Sequence, residues 1–307
     1  MPQAEVAAYV PRVVPRSQHV DLRGAATHVL RWGDERAPKL FLLHGWMDVA
    51  ASFQFLVDAL TRPFHVIAPD LRGFGRSAWH PQGYWFADYV ADLDALIARF
   101  APDERIRLVG HSLGANVVLH YAGVRSERVE TVIALDGFGI PSEATERAPD
   151  KLTAWLDALA DPPSFAAYDS FETVAARLTK NDVRLTPDKA AFLARHWAAT
   201  SSDGRVRLTS DPRHKLPFPI VYRLEEVFAV WRRIEARTLW IAALDSHVPA
   251  WLDRNSEGEA ATDSLAGVRK RMTNIPGATL VTIADAGHML HHDQPQAIAR
   301  EIESFVA

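Results

Sequence analysis

One segment governs the architecture of this chain: residues 106–114 read IRLVGHSLG. The short apolar run over residues 106–110 predicts a buried strand, and residues 112–121 carry a helical pattern. The glycines around Ser112 fit the pattern G-x-S-x-G, in which a serine occupies a strained turn between a strand and a helix. This context predicts that Ser112 is a nucleophile held above a sheet. The alternative is a glycine-rich turn whose serine only caps the helix.

Segments on both sides of this turn alternate between strands and helices. Short apolar runs predict buried strands at residues 39–43, 64–68, 131–135, 238–242 and 279–283. Apolar residues at helical spacing predict helices at residues 50–60, 86–100 and 294–305. Residues 19–22 and 28–32 are typical of a polar-edged hairpin. The alternation predicts an α/β fold with a mostly parallel central sheet flanked by helices.

The middle third of the chain has a different pattern. Residues 139–235 contain no convincing buried strand, and they are rich in Ala, Leu, Trp, Arg and Pro. Helices are predicted at residues 151–159, 171–178 and 187–200, with a short extended piece at residues 203–210. We therefore expect a core domain of residues 1–138 and 236–307, and a helical cap or lid of residues 139–235. The cap would lie over the carboxyl ends of the strands, where open α/β sheets bind ligands; the alternative is a structural lobe without a binding role.

A serine hydroxyl needs a positioned base, and His288 is the candidate. It follows the last predicted strand in the sequence Ala286-Gly287-His288-Met289 and precedes the last helix, so its loop leaves the same edge of the sheet as Ser112. Its neighbours His291 and His292 are competitors. The three histidines could also suggest a metal patch. We expect no metal, because no Asp/Glu–His helix motif of a zinc hydrolase accompanies them.

A carboxylate should orient the base and stabilise its charged form. Asp245 follows the penultimate strand, and the order Ser112, Asp245, His288 is the chain order expected for this architecture. Asp136 is the rival, since it follows the strand at residues 131–135 and reaches the same sheet edge. Asp285 is nearer to His288 in sequence, but closeness in sequence does not bring side chains together. We expect Asp245 to be the acid, with Asp136 as the alternative.

The negative oxygen that forms during attack on a carbonyl needs fixed N–H donors. One donor should be the backbone N–H of Leu113, the residue after the nucleophile. The second should come from the loop after the first core strand, where the sequence reads Leu43-His44-Gly45-Trp46-Met47-Asp48. The amide of Trp46 is the candidate, because Gly45 lets this backbone approach closely.

These motifs together resemble the α/β-hydrolase superfamily. The matching segments are His44-Gly45-Trp46, the run DLRGFGRS at residues 70–77, Gly110-His111-Ser112-Leu113-Gly114 and Gly287-His288, and the match covers residues 25–136 and 237–306. The runs HGWMD at 44–48, ASF at 51–53 and LDGFG at 135–139 are similar to the serine-hydrolase-like (kraken-type) branch. The resemblance implies the α/β-hydrolase fold, a helical cap, action on an ester or related acyl bond, and no cofactor.

Composition excludes several other classes. The 34 Lys and Arg nearly balance the 38 Asp and Glu, for a net charge of −4, and no basic run indicates a nucleic-acid or membrane partner. No cysteine is present, which excludes disulfides, thiolate catalysis and Cys-ligated zinc and fits a reducing compartment. Residues 1–30 show no apolar core of signal-peptide length, so a cytoplasmic location is expected.

The sequence therefore predicts a serine hydrolase with a small-molecule acyl substrate. The same residues could serve a thioester, an amide, a lactone or a carbon–carbon bond beside a ketone, and a ligand-binding protein that kept the fold without turnover is the rival from another class. Related enzymes that cleave carbon–halogen bonds or epoxides use an Asp nucleophile, whereas this chain has Ser112 there. Whether the protein is a monomer or a homodimer does not follow from the sequence.

Overall fold

A computed structural model describes residues 7–253 and 264–307. In chain order its strands are β1 (Arg16–Leu22), β2 (Ala25–Trp32), β3 (Lys39–Leu43), β4 (His65–Pro69), β5 (Ile106–His111), β6 (Val129–Leu135), β7 (Ala198–Thr200), β8 (Val206–Leu208), β9 (Arg237–Ala243) and β10 (Thr279–Ile283). Its helices are α1 (Gln54–Ala59), α2 (Phe86–Phe100), α3 (Leu113–Val124), α4 (Ala148–Ala160), α5 (Phe171–Asn181), α6 (Pro187–Trp197), α7 (Leu224–Trp231), α8 (Val248–Asp253), α9 (Ala266–Met272), α10 (Leu290–Asp293) and α11 (Pro295–Phe305).

The main sheet of the described residues has the strand order β1-β2-β4-β3-β5-β6-β9-β10. The six strands β4, β3, β5, β6, β9 and β10 are parallel to one another, while β1 and β2 form an antiparallel hairpin at one edge, and β2 pairs antiparallel with β4. This confirms the mostly parallel sheet and the hairpin that the sequence predicts. Because these six strands run in one direction, the loops that follow β3, β5, β6, β9 and β10 leave the same edge of the sheet.

Both faces of the sheet are covered by helices. In β3, Leu40 and Leu42 belong to the core cluster on one face, whereas Phe41 and Leu43 belong to the cluster on the other. This alternation is the period of two that a strand imposes on its side chains. Helices α1 and α11 contribute to the first cluster, and α2 and α3 contribute to the second. Two buried faces explain why the parallel strands read as continuous apolar runs.

The predicted elements differ from the observed ones mainly at their ends. Strands β3 and β10 and helix α2 have the predicted bounds, and the other core strands shift by one or two residues. The predicted helix at residues 50–60 divides into a 3-10 turn, Ala50–Phe53, followed by α1. The predicted helix at 187–200 ends at Trp197 because residues 198–200 pair with β8 as a short antiparallel ladder.

The segment between β6 and β9, residues 136–236, is called the insert below. It contains α4 to α7 and the β7–β8 hairpin, so it is largely helical, as expected. Its residues contact segments that follow strands at the carboxyl edge of the sheet: Lys189 Nζ donates to the carbonyl of His292 in α10, and the amide of Asp211 donates to the carbonyl of Gly73 in the loop after β4. The division into a core domain of residues 1–138 and 236–307 and a cap of residues 139–235 stays a prediction. Within the described ranges, no helix combines the length and apolar character needed to cross a bilayer.

Candidate active site

Ser112 occupies the turn between β5 and α3 with an unusual backbone conformation. Its φ is 52° and its ψ is −111°, a region that side-chain-bearing residues rarely adopt. The backbone at the two flanking glycines lies so close to other backbone atoms that a side chain there would clash. A Cβ on Gly110 would lie 2.3 Å from the carbonyl oxygen of Gly114, and a Cβ on Gly114 would lie 2.1 Å from the carbonyl oxygen of Leu43. The strained turn therefore depends on glycine at both positions, as the G-x-S-x-G pattern predicts.

His288 lies in the loop between β10 and α10 and reaches Ser112 across the sheet edge. Its Nε2 atom is 3.1 Å from Ser112 Oγ, and its Nδ1 atom is 2.7 Å from Oδ2 of Asp136. A carboxylate can only accept, so Nδ1 carries the hydrogen and Nε2 is free to accept from the serine hydroxyl. The structure thus brings Ser112, His288 and Asp136 into one hydrogen-bonded chain.

Asp136 is held firmly at the end of β6. Its side chain is fully buried, its φ is 46°, and its amide donates to the carbonyl of Ile241 in β9. Ser246 Oγ donates to the same Oδ2 atom at 2.5 Å. Ser246 was not among the predicted site residues, although its place directly after β9 and Asp245 could have suggested it. The Asp136 carboxylate therefore accepts from Ser246 and from His288 through Oδ2, and from the amide of Ala243 through Oδ1 at 3.4 Å.

The contacts of Asp245 correct the expectation that this residue is the acid beside His288. Its side chain is half exposed, and its Oδ2 atom accepts from Arg184 Nη2 of the insert at 2.8 Å. The amide of Asp245 donates to the carbonyl of Ala286, which holds this part of the loop beside β10. Because β6 and β9 are neighbours, an acid after either strand could approach His288. Here the loop after β9 presents Ser246 to Asp136, and Asp245 faces an arginine instead.

The loop after β3 is oriented by the buried side chain of His44. The amide of Leu71 donates to His44 Nε2, so Nδ1 holds the hydrogen and donates to the carbonyl of Gly45 at 2.7 Å. Burial lowers the pKa of His44 to about 4, which keeps the ring neutral in this role. In a trans peptide the N–H points opposite to the C=O, so anchoring the Gly45 carbonyl directs the Trp46 N–H the other way. The predicted donor at Trp46 thus has a fixed orientation.

The second predicted donor, Leu113, is the first residue of α3. Amides in the first turn of a helix have no acceptor within the helix, so the Leu113 N–H is available to a ligand. The positive end of the helix dipole adds to its attraction for a negative oxygen. Both Leu113 and Trp46 line the same cavity.

That cavity has a volume of about 950 Å³ and lies between the core and the insert. Aromatic and aliphatic side chains form most of its wall, among them Trp46, Tyr84, Trp85, Trp155, Phe218 and Tyr222. Six charged residues also line it, and some of them are paired. Lys151 Nζ binds Glu143 at 2.8 Å, and Glu143 also accepts from the amide of Tyr222. A concave, mainly apolar site with a few polar groups is typical of small-molecule binding.

The turn at residues 70–77 has a structural role. The carboxylate of Asp70 accepts from His28 Nδ1 at 2.7 Å and from the amides of Ala50 and Arg76. Burial raises the pKa of Asp70, but the bond from His28 and the other contacts outweigh it, so the pKa lies below its ordinary value. The carboxylate therefore joins β2, the loop after β3 and its own turn, and none of these three bonds involves Ser112 or His288.

The neighbours of His288 have separate environments. His292 Nε2 bonds to Ser52 Oγ at 2.6 Å, and burial lowers its pKa to about 3. His291 and His111 are buried side by side with ring centroids 4.5 Å apart, and burial lowers the pKa of each well below its ordinary value. His111 Nε2 lies 2.8 Å from the carbonyl oxygen of His288. The predicted competitors of His288 thus have other partners: His292 bonds to Ser52 and His291 packs against His111, which in turn bonds to the backbone of the loop that carries His288.

Known proteins resemble this chain over nearly its whole length. The family described as alpha/beta hydrolase fold matches residues 38–295. A serine hydrolase-like protein of Danio rerio is 25% identical over 283 residues, covering 90% of this chain and 83% of that protein. AB hydrolase superfamily protein YfhM of Bacillus subtilis (strain 168) is 28% identical over 303 residues, covering 95% and 98%. The solved thioesterase domain from the curacin biosynthetic pathway has a TM-score of 0.80 at 23% identity, covering 94% of this chain and 99% of that domain.

Proposed function

The chain belongs to the α/β-hydrolase family, in its serine-hydrolase-like branch, and from this premise we propose that it cleaves a carboxylic ester or a related acyl bond through an acyl-enzyme. One observation carries the proposal: the hydrogen-bonded chain from Ser112 through His288 to Asp136. A nucleophile, a base and a carboxylate that orients the base are the three groups that acyl transfer needs. The carboxylate in this proposal is Asp136 rather than Asp245.

The reaction follows from the roles of these atoms. Ser112 Oγ attacks the carbonyl carbon while His288 Nε2 takes the serine proton, and Asp136 stabilises the charged imidazolium. The amides of Trp46 and Leu113 hold the negative oxygen of the tetrahedral intermediate. His288 then gives the proton to the leaving alcohol, and the C–O bond breaks to leave the acyl group on Ser112. A water molecule, deprotonated by His288, attacks this acyl-enzyme and releases the acid and the free serine.

The cavity supports a substrate of medium size. Its volume of about 950 Å³ is near the upper end of the usual range for ligand pockets, about 300–1,000 Å³. Its apolar wall begins beside Trp46 and Leu113, so an acyl or alcohol group bound there would have its carbonyl near Ser112. We propose an apolar group of several carbons on at least one side of the scissile bond. Thioesters, amides, lactones and carbon–carbon bonds fit the same machinery.

The proposal is tested with p-nitrophenyl esters from acetate to decanoate, with the Ser112→Ala variant as control. We expect turnover that disappears in the variant, and an optimum chain length that reflects the cavity. A fluorophosphonate probe provides a second readout, because it reports a reactive serine without requiring the correct substrate. Labelling without ester turnover would favour the thioester, amide, lactone or carbon–carbon alternatives. Failure of the folded protein to become labelled at Ser112 would contradict the enzyme and favour a ligand-binding member of the fold.

A further inference from the structure

Three buried side chains that the proposed reaction does not use converge behind the loop of His288. Asp48 is 2% exposed, His111 is 1% exposed and His291 is 0% exposed. One ligand atom from each lies within 4.8 Å of the others. Within residues 7–253 and 264–307, Asp48 Oδ2, His111 Nδ1 and both nitrogens of His291 have no hydrogen-bond partner. Buried polar atoms without partners are uncommon in native proteins, so this cluster calls for a ligand.

The hydrogen bonds around the cluster determine which atoms remain available to a ligand. His111 Nε2 must carry a hydrogen, because its partner is the carbonyl oxygen of His288, and Nδ1 therefore presents a lone pair. Asp48 uses Oδ1 to accept from Trp197 Nε1 at 3.1 Å, which leaves Oδ2 for the cluster. Histidines that bind metals usually donate their other N–H to a carbonyl, and carboxylate ligands are usually hydrogen-bonded themselves. His111 and Asp48 both have this supporting arrangement.

The third member is fixed by packing. The ring of His291 lies 5.2 Å from Phe53 and 4.5 Å from His111 between ring centroids. Two imidazole nitrogens and one carboxylate oxygen form a donor set that suits borderline divalent ions such as Zn²⁺, Co²⁺, Ni²⁺ and Cu²⁺ better than Mg²⁺ or Ca²⁺. Tetrahedral Zn²⁺ holds N and O ligands at about 2.0–2.2 Å, which places them about 3.4 Å apart.

We propose that Asp48, His111 and His291 bind a divalent transition-metal ion, and that this binding inhibits the hydrolase through His111 and the carbonyl of His288. The inhibition rests on the proposed function, whereas the binding does not. To coordinate the ion, the three ligand atoms approach one another by up to about 1.4 Å from their present separation of at most 4.8 Å. Movement of His111 pulls on the backbone of His288 and misaligns Nε2 with Ser112 Oγ. A displacement of about 1 Å at reacting groups can reduce a rate about 100-fold.

The competing occupant of the cluster is a water molecule. It could donate to Asp48 and His111 and accept from an N–H of His291, which is the number of partners that buried waters usually have. A water has no metal spectrum and no inhibitory effect, so the two occupants are distinguishable. A metal-ion site and a water site therefore give different results in the same Co²⁺ titration.

The test uses the full chain after treatment with a chelator and dialysis. Co²⁺ is added first, because its visible absorption reports the ligand set and number without any assay of activity. We expect one tightly bound Co²⁺ per chain, displaced by Zn²⁺. His291→Phe keeps an aromatic ring against Phe53 but removes both nitrogens, and it should lose this absorption. His292→Gln is the matched control, since glutamine can still bond to Ser52 and this residue lies outside the cluster; it should keep the site.

Activity is measured in parallel as the rate of fluorophosphonate labelling and of ester turnover. Zn²⁺ should reduce both rates at least tenfold in the wild type and in His292→Gln, with recovery after addition of a chelator, and should have little effect in His291→Phe. Equal Co²⁺ binding in His291→Phe would overturn the proposal and assign the binding to surface histidines. No stoichiometric Co²⁺ binding in the wild type would overturn it in favour of a water molecule in the cluster. Site-specific binding without inhibition would overturn the coupling to His288. If the metal-free protein is not labelled at Ser112, the proposed function fails, while the Co²⁺ titration still decides the metal site.

Discussion

The Nδ1 atom of His288 lies 2.7 Å from Oδ2 of Asp136, at the end of β6, and not beside the acid that follows β9. The acid after β9, Asp245, is paired with Arg184 of the insert. The two carboxylates follow neighbouring parallel strands, so both begin at the same sheet edge. Their side chains have opposite environments: the Asp136 carboxylate is buried and bound by Ser246, while that of Asp245 is half exposed.

Replacement of these two acids by the isosteric amide should therefore have very different effects. Asp136→Asn removes the charge that orients His288 and stabilises the imidazolium, and we expect a loss of about 10⁴ in kcat, as in related triads. Asp245→Asn should change kcat by less than about threefold, because an exposed ion pair contributes little. Fluorophosphonate labelling rates measure the same contrast without a known substrate.

The melting midpoint of each variant is the control for folding, since Asp136 is buried. The assignment of Asp136 as the acid would be reversed if the Asp136→Asn variant stayed active and the Asp245→Asn variant lost its activity. Ser246→Ala provides an intermediate case, because it removes one of the two bonds to Oδ2 and leaves the charge. A moderate loss with a shifted pH profile would indicate that Ser246 positions the carboxylate.

The sequence predicts the sheet, the nucleophile and the base because each depends on local signals. Apolar runs mark strands, and Gly110 and Gly114 mark the turn that Ser112 needs. The choice between Asp136 and Asp245 depends on the direction of two loop side chains, which no local pattern encodes. Arg184 lies 61 residues before Asp245 and comes from the insert. The cluster of Asp48, His111 and His291 likewise joins three distant segments. Spacing along the chain indicates a different metal patch, formed by His288, His291 and His292.

Gly45→Ala should impair catalysis more than folding. A Cβ at this position would lie 2.9 Å from His111 Nδ1 and 3.3 Å from Ser112 Cβ, and the His111 ring is held by the carbonyl of His288. The loop that carries the Trp46 amide must therefore move away from the site. Loss of one donor to the negative oxygen typically costs about 10²–10³ in kcat, so we expect a decrease of that order with a smaller change in KM.

Steady-state kinetics with the best ester of the panel measure this effect. Gly287→Ala is the matched control, because a Cβ there has its nearest contact at an ordinary 3.4 Å, from Arg184 Nη1. We expect this control to retain activity within about threefold although it precedes His288. Normal kcat in Gly45→Ala would remove the Trp46 amide from the proposed site.

Stability should fall as the pH decreases below about 6.5. Burial lowers the pKa of nine histidines: to about 4 for His44, His196 and His214, to about 3 for His292, and below the ordinary value for His65, His80, His111, His120 and His291. In the unfolded chain their pKa values return to about 6.5. Burial also raises the pKa of Asp48 to about 7, so the folded state holds one proton on this carboxyl that the unfolded state lacks. The histidines outweigh this single group between pH 6.5 and 5, so the unfolded state binds more protons overall and the free energy of unfolding decreases as pH falls.

Urea unfolding at pH 7.5, 6.5, 5.5 and 5 measures this slope, which should approach a net uptake of several protons at the acidic end. His292→Gln removes one of the groups and should reduce the uptake by up to one proton. A free energy of unfolding that stays constant from pH 7.5 to 5 would contradict the neutral, buried state of these rings.

Glu303→Gln should weaken the attachment of α11 to the loop after α1. The carboxylate of Glu303 accepts from the amide of Thr61 at 2.6 Å, from Thr61 Oγ1 at 2.7 Å and from the amide of Arg62 at 2.7 Å. Hydrogen bonds to a charged group contribute about 1.5–3 kcal/mol, so loss of the charge should lower the free energy of unfolding by about 1–3 kcal/mol. Activity should be little changed, because the bonds of Glu303 do not involve Ser112, His288 or Asp136.

The pH dependence of this loss separates the charge from simple packing. Burial raises the pKa of Glu303, but the bonds from Arg62 and Thr61 outweigh it and hold the pKa below its ordinary value of 4.5. The carboxylate therefore stabilises the fold fully above about pH 4.5, and this contribution disappears as the pH falls through the lowered pKa. The difference between wild type and Glu303→Gln, measured by urea unfolding, should be constant from pH 7.5 to 5 and shrink below pH 4.5. Glu301→Gln on the same helix is the control, and an equal loss there would assign the effect to α11 in general and not to the bonds with Thr61 and Arg62.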